Sequence, residues 1–400
     1  MKYIVILGDG WADYPDEKGE TPLSLADKPN IDRIASVSVC GLMKTVPDGM
    51  KPGSDVANMA VMGYDPAKYY TGRSPLEAAS MGIKLGAEDV TYRCNLVTLG
   101  GDGSYESRYM KDYSAGEISN AEAEKLIAEL NEKLTLPEGC ELYAGVSYRH
   151  CLVRRNGKTG ALLTPPHDIS GKPVAEYLPK GKYGEELLAF QKASAEVLKN
   201  STVNRDRIAR GLNPATSCWL WGEGTRPAFT PFSELYGLKG AVISAVDLVK
   251  GLGIVAGMDS IDVEGACGTI HTNFAGKAAA ALEAAKTHDF IYVHMEAPDE
   301  CGHQGDKAGK IKSIELIDRL VVKPVFEEMT KRGERFKMLI TPDHPTPLAL
   351  RTHVADPVPF IMYDSEKEVF GCETYNEGIV RTTRVYYPSA VEMFRDFLKK

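Results

Sequence analysis

Three short apolar runs along the chain end abruptly in acidic or imidazole residues. They are YIVILGDGW (residues 3–11), FIYVHMEAPDECGH (290–303) and MLITPDHPTP (338–347). Runs of this length that are rich in β-branched residues and bounded by Gly or Pro predict buried strands. Helical patterns lie beside them, at 273–287 and at 311–333, where Pro324 predicts a kink. The chain therefore alternates strands with helices.

This alternation predicts an α/β fold, with a mainly parallel sheet and helices on both of its faces. In such sheets ligands bind beyond the carboxyl ends of the strands. All three acidic segments stand at carboxyl ends, so we expect their side chains to meet at one edge of the sheet.

The middle of the chain has a different pattern. Between residues 89 and 232 it consists of short strand-like runs, loops rich in Gly and Pro, and two amphipathic helices near 121–134 and 184–199. This predicts a smaller α+β domain at 89–232, inserted into a discontinuous domain formed by 1–88 and 233–400. Arg205, Arg207 and Arg210 recur at helical spacing, and we expect them to face solvent.

Composition limits the class of protein. The chain has 400 residues, 43% apolar and 26% charged, with a net charge of −8. This is globular, and the negative balance argues against a nucleic-acid surface. No apolar run approaches the ~20 residues that cross a membrane, and the start is too short and too soon polar for a signal peptide. Eight scattered cysteines without a C-x-x-C pair predict reduced thiols in the cytoplasm.

The candidate metal ligands stand at the predicted strand ends. Aspartate and histidine without cysteine suit Mn²⁺, Zn²⁺ or Mg²⁺. Each residue alone could shape a turn, cap a loop or face solvent, but their convergence favours a site, and their number suits two ions. His294, inside its strand, is interpreted as structural. The candidates are Asp9, Asp299, His303, Asp343, His344 and His353.

Ser54 is the candidate nucleophile. It lies in MKPGSDVANMAVMGYDP (50–66), after Pro-Gly and before a helical pattern. A helix N-terminus favours phosphate, and metal coordination would activate the serine hydroxyl. Serine is also a preferred N-cap residue, so capping is the alternative explanation.

Several long segments carry a family resemblance. They are ILGDGWADYP, TPLSLADKPNID, PGSDVANMAVMGYDPAKYYTGRSPLEAASMGIKL, TPPHDISGKP, SAVDLVKGLG, EAPDECGHQGD and TPDHPTPLALRTHVADPVPF. In these the chain resembles the alkaline phosphatase superfamily, and within it the archaeal-type, cofactor-independent (2,3-bisphosphoglycerate-independent) phosphoglycerate mutases. The resemblance covers essentially the whole chain. It implies a metal-dependent isomerase that interconverts 3-phosphoglycerate and 2-phosphoglycerate through a phosphoserine.

The resemblance also implies roles for the candidates. One divalent ion, usually manganese in this family, would be held by Asp299, His303 and His353. The second would be held by Asp9, Ser54, Asp343 and His344, with Ser54 as the phosphorylated nucleophile. Cations in the inserted domain would grip the small phosphorylated substrate. The resemblance does not identify these cations, so the residues named for them are candidates from the sequence, each of which could instead be a surface cation. Lys250, close to the core, is the candidate for neutralising the phosphoryl group. The candidates for the gripping cations are Arg93, Arg149, His150 and Arg226.

Other functions stay open at this stage. A branch of the family with the same metal motifs has been proposed to act as a homoserine kinase, and parts of this sequence resemble that branch as well. No Walker-type G-x-x-x-x-G-K-[ST] is present, so a nucleotide would have to bind at the metals. A phosphate-ester or phosphonate hydrolase is the third candidate, and a non-catalytic scaffold protein the least favoured one. Association into a homo-oligomer is left open.

Overall fold

The structure, a computed structural model, describes residues 1–399. In chain order the strands are β1 (Lys2–Gly8), β2 (Val39–Met43), β3 (Val90–Gly100), β4 (Tyr109–Asp112), β5 (Cys140–Tyr143), β6 (Arg149–Arg154), β7 (Ala161–Leu162), β8 (Lys180–Gly181), β9 (Ser217–Thr225), β10 (Gly240–Ile243), β11 (Asp259–Ile261), β12 (Phe290–Met295), β13 (Phe336–Thr341), β14 (Val358–Asp364) and β15 (Tyr386–Tyr387).

The α-helices are α1 (Pro22–Leu25), α2 (Pro29–Ser36), α3 (Ser54–Val61), α4 (Pro66–Tyr69), α5 (Ser74–Ser80), α6 (Asn120–Lys133), α7 (Gly184–Lys199), α8 (Thr202–Ala209), α9 (Phe232–Tyr236), α10 (Asp247–Val255), α11 (Phe274–Ala284), α12 (Ala297–Gln304), α13 (Lys307–Ile317), α14 (Lys323–Arg332), α15 (Glu377–Thr382) and α16 (Ala390–Phe397). Short 3₁₀ turns occur at Tyr105–Ser107, Pro166–Ile169 and Ala175–Tyr177. No helix within residues 1–399 combines the length and the apolar character needed to span a bilayer.

The described chain divides into two compact units. The first comprises Met1–Tyr70 and Ala228–Lys400, and the second comprises Thr71–Pro227. The second unit begins earlier than the residue 89 expected from the sequence, because α5 and the loop after it pack against the sheet of this unit. Ala78 and Ile83, from these segments, contact buried side chains of β6.

The first unit is built on one large sheet. Its strand order is β11-β10-β12-β1-β13-β14-β2-β15, and the first five of these strands run parallel. β14 is antiparallel to both of its neighbours. The three predicted strands with acidic ends are therefore adjacent, in the order β12-β1-β13. This confirms the predicted α/β class.

Helices cover both faces of this sheet, because alternate residues of each central strand point to opposite sides. Ile4 and Ile6 of β1 point to the face covered by α2, α11, α13 and α14. Tyr3 points to the opposite face, where its ring packs edge-on against Phe397 of α16, with ring centroids 5.6 Å apart. A strand buried on both faces must be apolar at every position, as the sequence YIVIL is.

The helical pattern predicted for 311–333 is interrupted before Pro324. α13 and α14 are joined by a π-helical turn at Asp318–Val322. Since proline has no N–H to donate, the regular series of i to i−4 hydrogen bonds is interrupted at this point. The wider π-helical turn accommodates this interruption. The buried Asp318 carboxylate accepts hydrogen bonds from the backbone N–H of Ile31 (2.7 Å) and from Asn30 Nδ2 (2.6 Å), so it caps α2, which lacks a cap of its own.

The second unit contains an antiparallel sheet in which the long strand β3 pairs with β9 on one side and with β6 and β4 on the other. β5 extends it from β6, and β7 and β8 form a separate two-stranded sheet. One face, with Tyr92, Cys94 and Leu96, packs against α6 and α7. The opposite face carries the intervening residues of β3, which include Arg93 and Asn95.

One arginine prediction in this unit is wrong. Arg207, expected to face solvent, is 2% exposed and is buried against α6. Its guanidinium donates to Glu122 (2.6 Å), to the carbonyl of Ala115 (2.6 Å) and to the carbonyl of Asn213 (3.0 Å). The burial of this charge is compensated because the carboxylate and two carbonyls satisfy its donors.

Candidate metal centre

The carboxyl ends of β12, β1 and β13 bring six predicted ligands to one edge of the first unit's sheet. Asp9 follows β1 directly, and Asp343 and His344 are two and three residues after the end of β13. Asp299 and His303 lie one turn apart on α12, which starts right after β12. His353 is in the loop that follows β13. A bridge between Trp11 and Pro345 holds the loops after β1 and β13 together.

The first group of ligands consists of Asp9, Asp343 and His344, which are all buried. Their ligand atoms lie within 4.8 Å of one another. His344 Nε2 is 3.2 Å from Asp343 Oδ2 and 3.6 Å from Asp9 Oδ1. Two ligands of one ion, each about 2.1 Å from it, lie roughly 3 Å apart, so this spacing suits a single cation.

The second group consists of Asp299, His303 and His353. The Nε2 atoms of the two histidines are 2.9 Å apart, and they lie 3.3 Å and 3.4 Å from the Asp299 oxygens. His344 adjoins this group as well, because its ring centroid is 4.0 Å from that of His353. The two groups are therefore neighbours.

The electrostatics of the groups fit cations. Burial, reinforced by the nearby carboxylates of Asp343 and Asp299, raises the pKa of Asp9 well above its usual range. Its Oδ1 is buried and has no hydrogen-bond partner among the described residues. Burial would also raise the pKa of Asp299, but hydrogen bonds from His303 and His353 outweigh it and hold that pKa well below its usual range. A buried carboxylate oxygen that accepts no hydrogen bond destabilises the fold unless a cation binds it. This cluster of carboxylates and imidazoles is thus a candidate site for divalent metal.

Glycine is required beside these ligands at Gly10. Its φ of +60° is in the left-handed region, and a Cβ there would collide with the Asp299 carboxylate and with Thr346 Oγ1, 2.6 Å away. The second glycine of the G-D-G sequence thus allows the segments that follow β1 and β12 to approach each other closely, in addition to forming a turn.

Ser54 lies beside the first group of candidate ligands. It is the first residue of α3, whose N-cap is Gly53, and in the first turn the Asp55 carboxylate accepts the Val56 N–H (2.9 Å). Ser54 Oγ is 3.1 Å from His344 Nε2. The capping alternative therefore does not describe this serine, because its hydroxyl faces a ligand of the first group.

The structure adds residues that the sequence analysis did not assign to the site. His294 Nε2 is 2.8 Å from Asp9 Oδ2, and His294 Nδ1 is 3.1 Å from Ser244 Oγ. Burial lowers the pKa of His294 to about 3, so the ring is neutral and donates its Nε2 proton to the carboxylate. His294 was interpreted as structural because it lies inside a strand. Pairing of β12 with β1 places Leu7 opposite it, only two residues before Asp9.

Lys310 supports the loops that carry the ligands. Its ammonium is fully buried and donates to Asp13 Oδ2 (2.7 Å), to the Thr346 carbonyl (2.8 Å) and to the Ala12 carbonyl (3.3 Å). Thr346 in turn donates its hydroxyl to Asp299 Oδ1. One cation on α13 thereby joins the loop after β1 to the loop after β13.

The second unit carries its own cluster of cations on one face of its sheet. Arg93 Nε lies 2.7 Å from Glu77 Oε2, and its guanidinium stacks 3.9 Å from the Trp221 ring centroid. Arg73 Nε is 3.0 Å from the other Glu77 oxygen. Burial would raise the pKa of Glu77, but Arg93, Arg73 and Arg149 outweigh it and lower that pKa. Two guanidinium groups therefore form ion pairs with one carboxylate, and the charge of a third acts on it. Arg73 was not among the predicted cations, although it lies in the family-like segment YYTGRSPLEAASMG.

The remaining predicted cations lie elsewhere. His150 is buried on the opposite face of the sheet from Arg93 and Arg149, next to Cys94 in the register of β3 and β6, and its Nδ1 accepts from the Gly145 N–H (3.1 Å). Arg226 is exposed and donates to the Leu85 carbonyl (3.3 Å). Lys250 Nζ pairs with Asp262 Oδ1 (2.6 Å), beyond the edge strand β11, and not with a ligand of either group.

Comparison with known proteins supplies the context for this geometry. A sequence model of the 2,3-bisphosphoglycerate-independent phosphoglycerate mutases matches residues 35–204. The chain is 50% identical to a 2,3-bisphosphoglycerate-independent phosphoglycerate mutase of Methanosarcina mazei over 385 residues, which cover 95% of either chain. It is also 50% identical to a probable enzyme of the same name from Geobacter sulfurreducens, with 96% of each chain covered.

The chain belongs to the family of 2,3-bisphosphoglycerate-independent phosphoglycerate mutases. This confirms the family that the sequence motifs indicated. Solved structures agree with the family at the level of the fold. A Pyrococcus horikoshii protein, PH0037, superimposes with a TM-score of 0.82 at 26% identity, covering 99% of this chain and 97% of that one. The cofactor-independent phosphoglycerate mutase of Thermoplasma acidophilum gives a TM-score of 0.65 at 25% identity, with 100% of both chains covered.

Proposed function

We propose that the chain interconverts 3-phosphoglycerate and 2-phosphoglycerate by passing the phosphoryl group through Ser54. One observation carries the proposal: Ser54 Oγ lies 3.1 Å from His344 Nε2, within the cluster of metal ligands of a chain that belongs to this mutase family. The homoserine kinase alternative is not favoured, because the relatives at about 50% identity bear the mutase name.

The reaction consists of two transfers. Ser54 Oγ loses its proton and attacks phosphorus, the bond between phosphorus and the 3-oxygen of glycerate breaks, and that oxygen takes up a proton. The 2-hydroxyl of the same glycerate then loses its proton and attacks the phosphoserine, the bond between phosphorus and Ser54 Oγ breaks, and Oγ takes a proton back. No water enters the balance, and hydrolysis of the phosphoserine would be a side reaction. The backbone N–H groups at the start of α3 favour the phosphoryl group during both transfers, because a helix N-terminus attracts anions.

We propose two divalent ions, with manganese as the preferred metal and zinc or magnesium as the alternatives. Asp9, Ser54, Asp343 and His344 would hold one ion, and Asp299, His303 and His353 the other. When bound, such ions lower the pKa of a coordinated hydroxyl and neutralise phosphoryl oxygens. The oxygen and imidazole donors, without cysteine, support this choice of metals.

Substrate binding is proposed for the cations that gather around Glu77, on the face of the second unit's sheet that carries Arg93. Arg93 and Arg149 were expected for this role, and Arg73 joins them around Glu77. A guanidinium binds a carboxylate or phosphate through two parallel hydrogen bonds. Arg149→Gln should therefore raise the KM for 3-phosphoglycerate more than it lowers kcat. Arg205→Gln, at an exposed arginine of the same unit, is the matched control.

The decisive experiment is an enolase-coupled assay of 3-phosphoglycerate with Mn²⁺. The unsubstituted chain should turn over, Ser54→Ala should not, and mass spectrometry should find a phosphoryl group on the Ser54 peptide of the working enzyme. Ser233→Ala is the control, since Ser233 is an exposed serine in the first turn of α9. Absence of turnover with Mn²⁺, Zn²⁺ and Mg²⁺ would refute the mutase. Release of ADP from ATP with homoserine would indicate the kinase, and net release of phosphate would indicate a hydrolase.

A further inference from the structure

Asn58 is a fully buried asparagine one helical turn after Ser54 on α3. Its Nδ2 donates to the Ser54 carbonyl (2.9 Å) and to Asp343 Oδ2 (2.7 Å). Its Oδ1 accepts the Tyr292 hydroxyl proton (2.6 Å). A side-chain amide has two N–H donors, and both are used here. Asn58 thus connects three elements: the helix of the proposed nucleophile, the strand β12 and the segment after β13.

The partners fix which end of the amide faces the carboxylate. A backbone carbonyl and an ionised carboxylate can only accept hydrogen bonds, so the nitrogen of Asn58 must point to Ser54 and Asp343. The Tyr292 hydroxyl, on the other side, donates to the oxygen. Tyr292 is itself fully buried, and Oδ1 is its partner inside the core. A flipped amide would place its oxygen against the Ser54 carbonyl and Asp343 Oδ2, and both of those hydrogen bonds would be lost.

Asp343 depends on this contact for one of its two oxygens. Its Oδ1 accepts the backbone N–H groups of His344 (2.8 Å) and Gly10 (3.2 Å). Its Oδ2 faces Asn58 Nδ2 and His344 Nε2, at 2.7 Å and 3.2 Å. The backbone therefore holds one end of the carboxylate, and the Asn58 amide is the donor on the side that faces the Ser54 helix.

We propose that Asn58 is a positioning residue that fixes the Asp343 carboxylate relative to the start of α3. The same side-chain amide would then orient a proposed metal ligand and place Ser54 beside the metal. The inference rests on the proposed function for the role of Ser54, but its claim on metal affinity does not need that function. Asn58 does not touch the reacting atoms. It acts by fixing a ligand and the backbone of the nucleophile at once, as groups outside the ligand shell do in metal sites.

The test is a Mn²⁺ titration of the full chain, with free Mn²⁺ measured by electron paramagnetic resonance. Asn58→Leu keeps the side-chain volume but removes both donors, and it should weaken Mn²⁺ binding by about 10- to 100-fold. Tyr292→Phe removes only the hydroxyl that orients the amide, and it should weaken binding in the same direction by about threefold. At saturating Mn²⁺ we expect kcat to stay reduced in Asn58→Leu, with the KM for 3-phosphoglycerate unchanged, because the α3 backbone remains unanchored.

The matched control is Asn204→Leu. Asn204 in the second unit is also buried, and its amide likewise makes three hydrogen bonds, but all to the backbone: Nδ2 donates to two carbonyls (2.8 Å and 2.7 Å) and Oδ1 accepts from a backbone N–H (2.9 Å). This substitution should lower stability and leave Mn²⁺ affinity within twofold. Mn²⁺ binding within twofold of the unsubstituted chain in both Asn58→Leu and Tyr292→Phe would overturn the proposal. Should Asn58→Leu fail to fold, Tyr292→Phe alone decides. A chain without mutase activity would refute the proposed function and leave this titration valid.

Discussion

Ser54 Oγ and His344 Nε2 lie 3.1 Å apart, although 290 positions of sequence separate the two residues. The distance arises because α3 begins at Ser54 beside the carboxyl end of β13. It brings the only hydroxyl that the sequence analysis proposed as a nucleophile into the first group of ligands. The contact brings the proposed nucleophile at the start of α3 next to the candidate metal ligands at the strand ends.

Removal of divalent metal should abolish activity and lower the melting temperature. The carboxylates of Asp9, Asp343 and Asp299 are buried close together, so an ion relieves their repulsion in the folded chain only. Adding Mn²⁺ at 100 times its Kd should restore about 2.7 kcal/mol of unfolding free energy. Calorimetry before and after treatment with a chelator measures this. Chelator pre-saturated with Mn²⁺ is the control, and an unchanged melting temperature would contradict a metal centre.

Replacement of His294 should weaken metal binding. His294→Phe removes the N–H donor that holds Asp9 Oδ2 at 2.8 Å and so frees that carboxylate to rotate. We expect a loss of about 10- to 100-fold in Mn²⁺ affinity, measured by titration. His288→Phe is the control, because His288 is also buried and its Nε2 is likewise 2.8 Å from a carboxylate, Asp259, that is not a metal ligand. Equal effects of the two substitutions would count against a role for His294 at Asp9.

Loss of the Lys310 ammonium should destabilise the first unit strongly. Lys310→Met leaves the buried Asp13 carboxylate, 2.7 Å from Nζ, without its cation, and such a loss costs about 3–5 kcal/mol. Lys307→Met is the comparison on the same helix. Its partner Asp16 lies at a similar 2.8 Å, but water screens this exposed pair, so the loss of stability should be much smaller than in Lys310→Met. Urea unfolding of both variants measures the difference, and similar values for the two would show that burial is not the cause.

The neutral His150 should make the stability of the second unit depend on pH. Burial, with a smaller effect of Arg149, lowers the pKa of His150 from 6.5 to about 3. The unfolded chain therefore binds a proton as the pH falls through 6.5, while the folded chain does so only near 3, and stability decreases over this interval. Between pH 7.5 and 5.5 this histidine should cost about 1.4 kcal/mol.

The measurement is the difference between the unsubstituted chain and His150→Gln in urea unfolding at the two pH values. Gln keeps an acceptor for the Gly145 N–H but does not titrate. Fluorescence is a suitable probe, because two of the three tryptophans, Trp219 and Trp221, lie in the second unit. An equal loss of stability in both proteins would mean that other groups cause the pH dependence.

The strand ends could be predicted from the sequence, because burial on both faces forces a continuous apolar run and the acidic residues mark where it stops. Asp9, Asp299 and Asp343 were therefore found as a set. His294, Asn58 and Lys310 were not, since each contacts its partner only after distant segments have paired, and locally each resembles an ordinary strand or helix residue. The burial of Arg207 was missed for the same reason: its acceptors come from α6 and from loops of the second unit.

The position of β1 at the centre of the sheet has a consequence for synthesis of the chain. β1 is synthesised before the other strands of its sheet, yet it pairs with β12 and β13, which begin at Phe290 and Phe336. At about 5–20 residues per second, roughly 15 to 70 seconds of translation pass before this apolar strand can pair with β12 and β13. The nascent chain should therefore depend on ribosome-associated chaperones until its last third emerges, whereas the second unit has all its strands available well before.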